Sequence, residues 1–225
     1  MNLSKRIPEP ELMNLKEQAE AYWKADFSEP HNMFIDLFAK CFGNDIKGTF
    51  LDLGCGTCDI TIRFVRRFKS TQIHAVDGAG AMLYFARKDI ERYKLKEKIK
   101  TFCLTLPFKN TALPTIQYDG VIINSLLHHL SNPNTMWEAI KKFVKKSGII
   151  FVMDLIRPEN TKQAKEIVER YSGNEPNILK QDFYNSLLAA YRIEEVKEQL
   201  KANNLSYLDI KKVSDRHFIV WGHLK

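Results

Sequence analysis

The chain has 225 residues, 44% of them apolar and 27% charged, with 34 basic residues against 27 acidic ones. That balance excludes a disordered or fibrous protein and suits one full α/β domain better than two. The net charge of +7 raises a nucleic-acid partner, but the basic residues alternate with acids, as in Arg87-Lys88-Asp89-Ile90-Glu91-Arg92, and read as solvated helix faces.

No internal repeat or low-complexity linker divides the chain, so residues 1–225 are expected to form a single domain. Residues 1–43 read as an N-terminal helical lid. Its first helix is expected over 9–24, with Leu12, Leu15, Ala19 and Tyr22 apolar. Pro30, in the segment DFSEPH, is expected to break it before a second helix over 33–42. The leading MNLSKRIPEPELMNLK has no apolar core of a signal peptide, which points to the cytoplasm.

A core over 44–157 alternates strands and helices. Strands are expected over 48–53, 72–76, 99–104, 120–124 and 148–155. Helices are expected over 59–69, 80–93 and 134–145, with a helix-like stretch after 124. Strands alternating with helices of this length imply parallel pairing through right-handed crossovers. The run GIIFVM fits a strand buried on both faces and is far short of the ~18 residues needed to cross a bilayer. Residues 158–190, with Tyr171, Phe183 and Tyr184, read as a helical insertion over the cleft. Residues 191–225 hold a last helix and a hairpin, LDIKKV and HFIVW joined at Ser214-Asp215, so the sheet should end in an antiparallel edge.

The strongest local signal is Leu51-Asp52-Leu53-Gly54-Cys55-Gly56-Thr57-Cys58-Asp59. A strand enters a loop with two glycines and a helix opens directly after it. Such a loop lets backbone approach a ligand closely, and the helix start offers free N–H groups. Asp77 closes the next strand, 21 residues after Gly56, where a carboxylate can accept both hydroxyls of a ribose. Dinucleotide loops want a third glycine and a pyrophosphate at the helix tip. Here Cys58 holds the third position, and Asp59 would repel a pyrophosphate but tolerate an ammonium group.

The segments LDLGCGTCDIT and VDGAGAM resemble those of the class I S-adenosylmethionine-dependent methyltransferases. The resemblance covers roughly residues 45–225. It implies a doubly wound, mostly parallel seven-stranded sheet with a C-terminal antiparallel hairpin, S-adenosylmethionine as cofactor and S-adenosylhomocysteine as product. Gly54, Cys55 and Gly56 would pack on the methionine part and Asp77 would bind the ribose. Asp52 would act near the methionine ammonium, and Gly78 and Met82 would lie along ribose and adenine. Asn124, ending the fourth strand, suits the methionine end because its amide both donates and accepts. The stretch FCLTLPF after the third strand lacks the acid that often meets the adenine amino group. Backbone near Leu104 or Leu106 would have to substitute there, and that contact is left unassigned.

Cys55 and Cys58 form a C-x-x-C without a second pair, so buried packing is expected of them rather than zinc or redox chemistry, and no metal site is expected. His128 and His129 follow the fourth strand. In a helix their side chains diverge by about 100°, so only one is expected to face the cleft. His128 is the candidate base, with an ordinary pKa close to neutral. Asp154, at the end of the fifth strand, would hold a substrate hydroxyl or amine, or cap the next turn. Asn124-Ser125-Leu126-Leu127 stands where methyltransferases of planar amines carry Asn/Asp-Pro-Pro-Tyr/Phe, which argues against N6-adenine or glutamine methylation. The expected activity is in-line methyl transfer to a small molecule, with no nucleic-acid or membrane partner. An RNA or protein methyltransferase and a non-catalytic cofactor-binding protein are the alternatives.

Overall fold

Alternation along the strands builds the two faces of the sheet. In β1 (Lys47–Leu53) Leu51 and Leu53 turn to one face and Phe50 to the other. In β4 (Tyr118–Asn124) Val121 and Ile123 oppose Ile122, and in β5 (Val144–Leu155) Ile150 and Val152 oppose Phe151 and Met153. Both faces are therefore apolar, and helices cover each. The computed structural model describes residues 2–9, 14–107, 113–114 and 117–225.

With β2 (Ser70–Asp77), β3 (Ile99–Cys103), β6 (Asp209–Lys212) and β7 (His217–His223), the strands form one sheet in the order β3-β2-β1-β4-β5-β7-β6. The first five run parallel. β7 lies antiparallel between β5 and β6, as the turn at Ser214-Asp215 requires. The order reverses at β1/β4, so the C-terminal ends of these strands open the crevice in which such sheets bind ligands.

α2 (Ser28–Phe42), α3 (Asp59–Arg67) and α4 (Gly80–Arg92) cover one face. α5 (Asn134–Phe143) and α8 (Ile193–Ala202) cover the other, where Trp137, Ile140, Val196 and Leu200 are buried. α6 (Thr161–Ser172) and α7 (Asn177–Ala189) form the insertion and bury Ala164, Ile167 and Leu187 around Leu3 of the N-terminal segment.

Three details depart from expectation. α1 spans only Lys16–Lys24; residues 2–9 are not helical, and 10–13, within the expected helix, lie outside the described residues. Pro30 does not break a helix. It is the third residue of α2, in the first turn, where its missing N–H has no intrahelical partner to lose. α5 stops at Phe143, because Val144 is already extended and pairs with Tyr118 at the start of β5.

Candidate active site

The loop leaving β1 is shaped by backbone that only small side chains allow. Gly54 has φ +73°, and a Cβ there would come 2.9 Å from Leu126 Cδ1. Gly56 has φ +52° with open space where a Cβ would project. Cys58, at the third position, is also left-handed (φ +63°), a conformation that costs a non-glycine residue about 1–2 kcal/mol. Its side chain is fully buried against the α2–α3 core, and all four cysteines are free thiols. The amides of Gly54 and Cys55 both donate to Val76 O, at 2.8 and 3.0 Å, tying the loop to the end of β2.

Asp77 bridges that loop and the next one. Its Oδ2 accepts the Gly56 amide and its Oδ1 the Ala79 amide, each at 2.7 Å. Burial raises its pKa, and the two amides oppose the rise. Asp52 is 4% exposed and accepts one hydrogen bond, from Thr61 Oγ1 at 2.5 Å. Burial pushes its pKa up to about 7. Asn124 donates to Ser125 Oγ, while its own Oδ1 is buried and accepts nothing among the described residues. Asp52, Gly54, Cys55, Gly56, Asp77, Gly78, Met82 and Asn124 all border one cavity of about 310 Å³.

His128 and His129 border the same cavity. Leu127–His129 is a single 3-10 turn, not an α-helix, and the two rings lie 4.2 Å apart between centroids. Both therefore face the cavity, which corrects the expectation that they diverge. His128 is the more buried, its side chain 2% exposed against 17% for His129. Asp154 is 1% exposed and does not border the cavity. It accepts the amides of Leu127 and Leu155 at 2.7 Å, and its Oδ1 lies 2.5 Å from His128 Nδ1. It thus meets the His128 ring and two backbone amides and not the cavity. The mutual attraction raises the His128 pKa against the effect of burial and lowers that of Asp154.

Residues 51–150 match the family model described as a methyltransferase domain. The chain is 26% identical over 102 residues to (S)-coclaurine N-methyltransferase of Thalictrum flavum subsp. glaucum, covering 45% of this chain and 27% of that protein. It is 25% identical over 134 residues to 2-phytyl-1,4-naphtoquinone methyltransferase of Trichormus variabilis, covering 58% and 56%. The chain thus spans between about a quarter and about half the length of these relatives. Its fold matches the plantazolicin methyltransferase BpumL, solved with a triazolic desmethylPZN analog and S-adenosylhomocysteine. The TM-score is 0.65 at 13% identity, over 93% of this chain and 91% of that one. Residues 51–150 are thus similar to a methyltransferase domain, and the chain has the class I methyltransferase fold.

The donor set of this site fits S-adenosylmethionine, the cofactor that the resemblance implies. Asn124 Oδ1 lacks the donor that an ammonium would bring, and the space beside Gly56 admits a ligand against backbone. Leu104, Thr105 and Leu106 also line the cavity. The Leu104 amide donates to Asp77 O at 3.0 Å, so it is not available to a base edge. Phe108, which ends that stretch, lies outside the described residues.

Two closures meet over the cavity. Gln18 of α1 donates to Asp182 of α7 at 2.7 Å, and Trp23 anchors α1 on α4 by donating to Asp89. Tyr22, Phe27, Tyr171 and Phe183 line the cavity, whereas Tyr184 packs within the insertion. Three contributors had no signal in the sequence. Arg216, from the β6–β7 turn, lines the cavity with its guanidinium 3.3 Å from the centre of the Tyr171 ring. Arg6 donates to the carbonyls of His128, Leu130 and Ala189, and Glu9 approaches both histidines. They arrive through an extended segment pinned by Leu3 N to Glu159 O and Ile7 N to Leu188 O, and such a segment has no periodicity to read.

Proposed function

We propose that this protein transfers a methyl group from S-adenosylmethionine to a small molecule held between the glycine loop and the two closures. The cofactor supplies a methyl group already activated on a sulfonium, so the chain's task is alignment and exclusion of water. Gly54, Cys55 and Gly56 would hold the methionine part, Asp52 and Asn124 its ammonium, Asp77 the ribose, and Gly78 and Met82 the nucleoside. His128, its ring fixed by Asp154, serves the acceptor.

The charge of the cavity carries this reading. Within a chain of net charge +7, seven carboxylates among the described residues border the cavity (Asp26, Glu29, Asp52, Asp59, Asp77, Glu175 and Asp182) against one guanidinium, that of Arg216. That field favours a cationic cofactor and opposes a polyanionic acceptor, which supports a small molecule over RNA. The named substrates of the relatives, coclaurine and a naphthoquinone, are small molecules too. Among the described residues no helix is long and apolar enough to cross a membrane. The proposal extends to the cytoplasm, where four free thiols would stay reduced.

Calorimetry with S-adenosylmethionine and S-adenosylhomocysteine tests the cofactor. Asp77→Ala is expected to weaken both at least about tenfold, since a buried charged acceptor is lost. Unchanged affinity would place the ribose elsewhere. His128→Ala is expected to lower turnover about 100-fold while leaving cofactor affinity within about twofold. Turnover equal to the parent's would remove His128 from the acceptor site.

A further inference from the structure

Glu9 stands where three ligand atoms converge. Its side chain is 8% exposed, and its Oε1 is buried with no hydrogen-bond partner among the described residues. Burying a carboxylate oxygen in that state is strongly unfavourable unless a positive centre compensates. Oε1 lies 3.5 Å from His128 Nε2 and 3.2 Å from His129 Nδ1, and all three atoms fall within 4.8 Å of one another. Asp154 takes the proton side of His128 at Nδ1, so the Nε2 lone pair is the one aimed at Glu9. Two electron-rich atoms thus face each other across 3.5 Å.

The spacing is that of a metal's ligands. Donors bonded at about 2.0–2.1 Å around a tetrahedral centre stand about 3.3–3.4 Å apart, and the two measured edges fall on either side of that value. The carboxylate behind His128 completes the arrangement that fixes the tautomer and orientation of metal-binding histidines. The donors are also held in place. Glu9 Oε2 accepts from Ser186 Oγ at 3.3 Å, and Arg6 Nη2 donates to the His128 carbonyl at 2.6 Å.

We propose that Glu9, His128 and His129 form a binding site for a divalent transition-metal ion, with an open coordination position toward the acceptor end of the cavity. Two imidazoles and a carboxylate select zinc, iron, cobalt or manganese over calcium and magnesium, which take oxygen ligands. The purpose of the open position rests on the methyl-transfer reading. An acceptor oxygen or nitrogen coordinated there would release its proton more readily and would be oriented for attack. In the loaded site His128 acts as a ligand and not as a base.

The test uses the full chain, stripped with a chelator and titrated with Co²⁺ at neutral pH. Visible absorption reports coordination, and Zn²⁺ is followed in parallel by thermal shift. One equivalent is expected to bind at micromolar concentration or tighter. Glu9→Gln and His129→Ala are each expected to weaken it about 100-fold or more, while Cys103→Ser, which removes an exposed thiol, leaves it unchanged. Melting of each variant without metal shows whether it is folded, and Glu9→Gln preserves shape. Absence of Co²⁺ binding below millimolar, or unchanged binding in Glu9→Gln and His129→Ala, overturns the site. It would mean that a proton shared between His128 and Glu9 fills the gap. Binding of S-adenosylhomocysteine, measured on the same stripped protein, is independent. Its loss with cobalt binding intact would sink the methyl-transfer reading and leave the metal site standing.

Discussion

Truncating Phe38 to alanine is expected to destabilise the protein by about 3–5 kcal/mol. Phe38 belongs to α2 and is fully buried. Its ring lies 4.8 Å from that of Phe64, 5.0 Å from Phe42, 5.2 Å from Phe68 and 5.4 Å from Phe151, centroid to centroid. These rings come from α2, from α3 and its C-terminal end, and from the sheet, so the neighbours cannot collapse into the void together. The cost therefore combines lost burial, a residual cavity and several edge-on ring contacts. At roughly 2–4 °C per kcal/mol for a chain of this size, the melting temperature should fall by about 6–20 °C. Urea and thermal unfolding measure it. A loss under about 1 kcal/mol, with activity impaired, would show α2 to be a detachable lid and not part of the core.

For α2 that expectation departs from the sequence-level view of residues 1–43 as a lid, and the reason is physical. The run Phe34, Ile35, Leu37, Phe38 and Phe42 marks an apolar helix face but carries no statement of what covers it. Only the topology, with β1, β4 and β5 at the centre, reveals an open sheet face that α3 and α4 do not fill. The glycine loop and Asp77 were legible because their signal is local: left-handed positions need glycine, and the acid falls one strand, loop and helix later. Cys58, which stands at the third loop position in place of glycine, is left-handed as well. The acceptor end was legible only in part. His128 follows β4 and Asp154 lies at the end of β5, its parallel neighbour, so their proximity followed from strand pairing, but their division of labour did not. Whether the histidines diverge depends on a 3-10 turn in place of an α-helix. Arg6 and Glu9 are brought in by contacts more than 100 residues distant in sequence, which no local pattern encodes.

Asp52→Asn is expected to make the protein more stable and a poorer cofactor binder at the same time. The Asp52 carboxyl has its pKa pushed up to about 7 by burial, with Asp77 adding repulsion and Thr61 opposing the shift. In the unfolded chain the group titrates near ~3.9. Between those values the folded state holds a proton that the unfolded state has released, so stability falls as pH rises from about 4 to about 7. At about 1.4 kcal/mol per pKa unit, the strain at pH 8 amounts to roughly 2–4 kcal/mol. Asparagine has no proton to lose and keeps an oxygen for the Thr61 hydroxyl. The variant should therefore outlast the parent in denaturant above pH 7 by about 2–4 kcal/mol and converge with it below about pH 4. The strain has a purpose if the methionine ammonium is its partner, because a buried carboxylate without a counter-charge is the site a cation relieves. S-adenosylmethionine should then bind Asp52→Asn at least about tenfold more weakly at pH 8. The gap between variant and parent should narrow toward pH 6, where the parent's carboxyl is mostly protonated. Taking the difference between the two proteins cancels titration of the cofactor itself, and leaves Asp77 as a common background. Equal pH slopes of stability would mean that Asp52 is not the strained group. A stabilised variant with full cofactor affinity would separate the strain from the cofactor and place the ammonium at Asn124 alone.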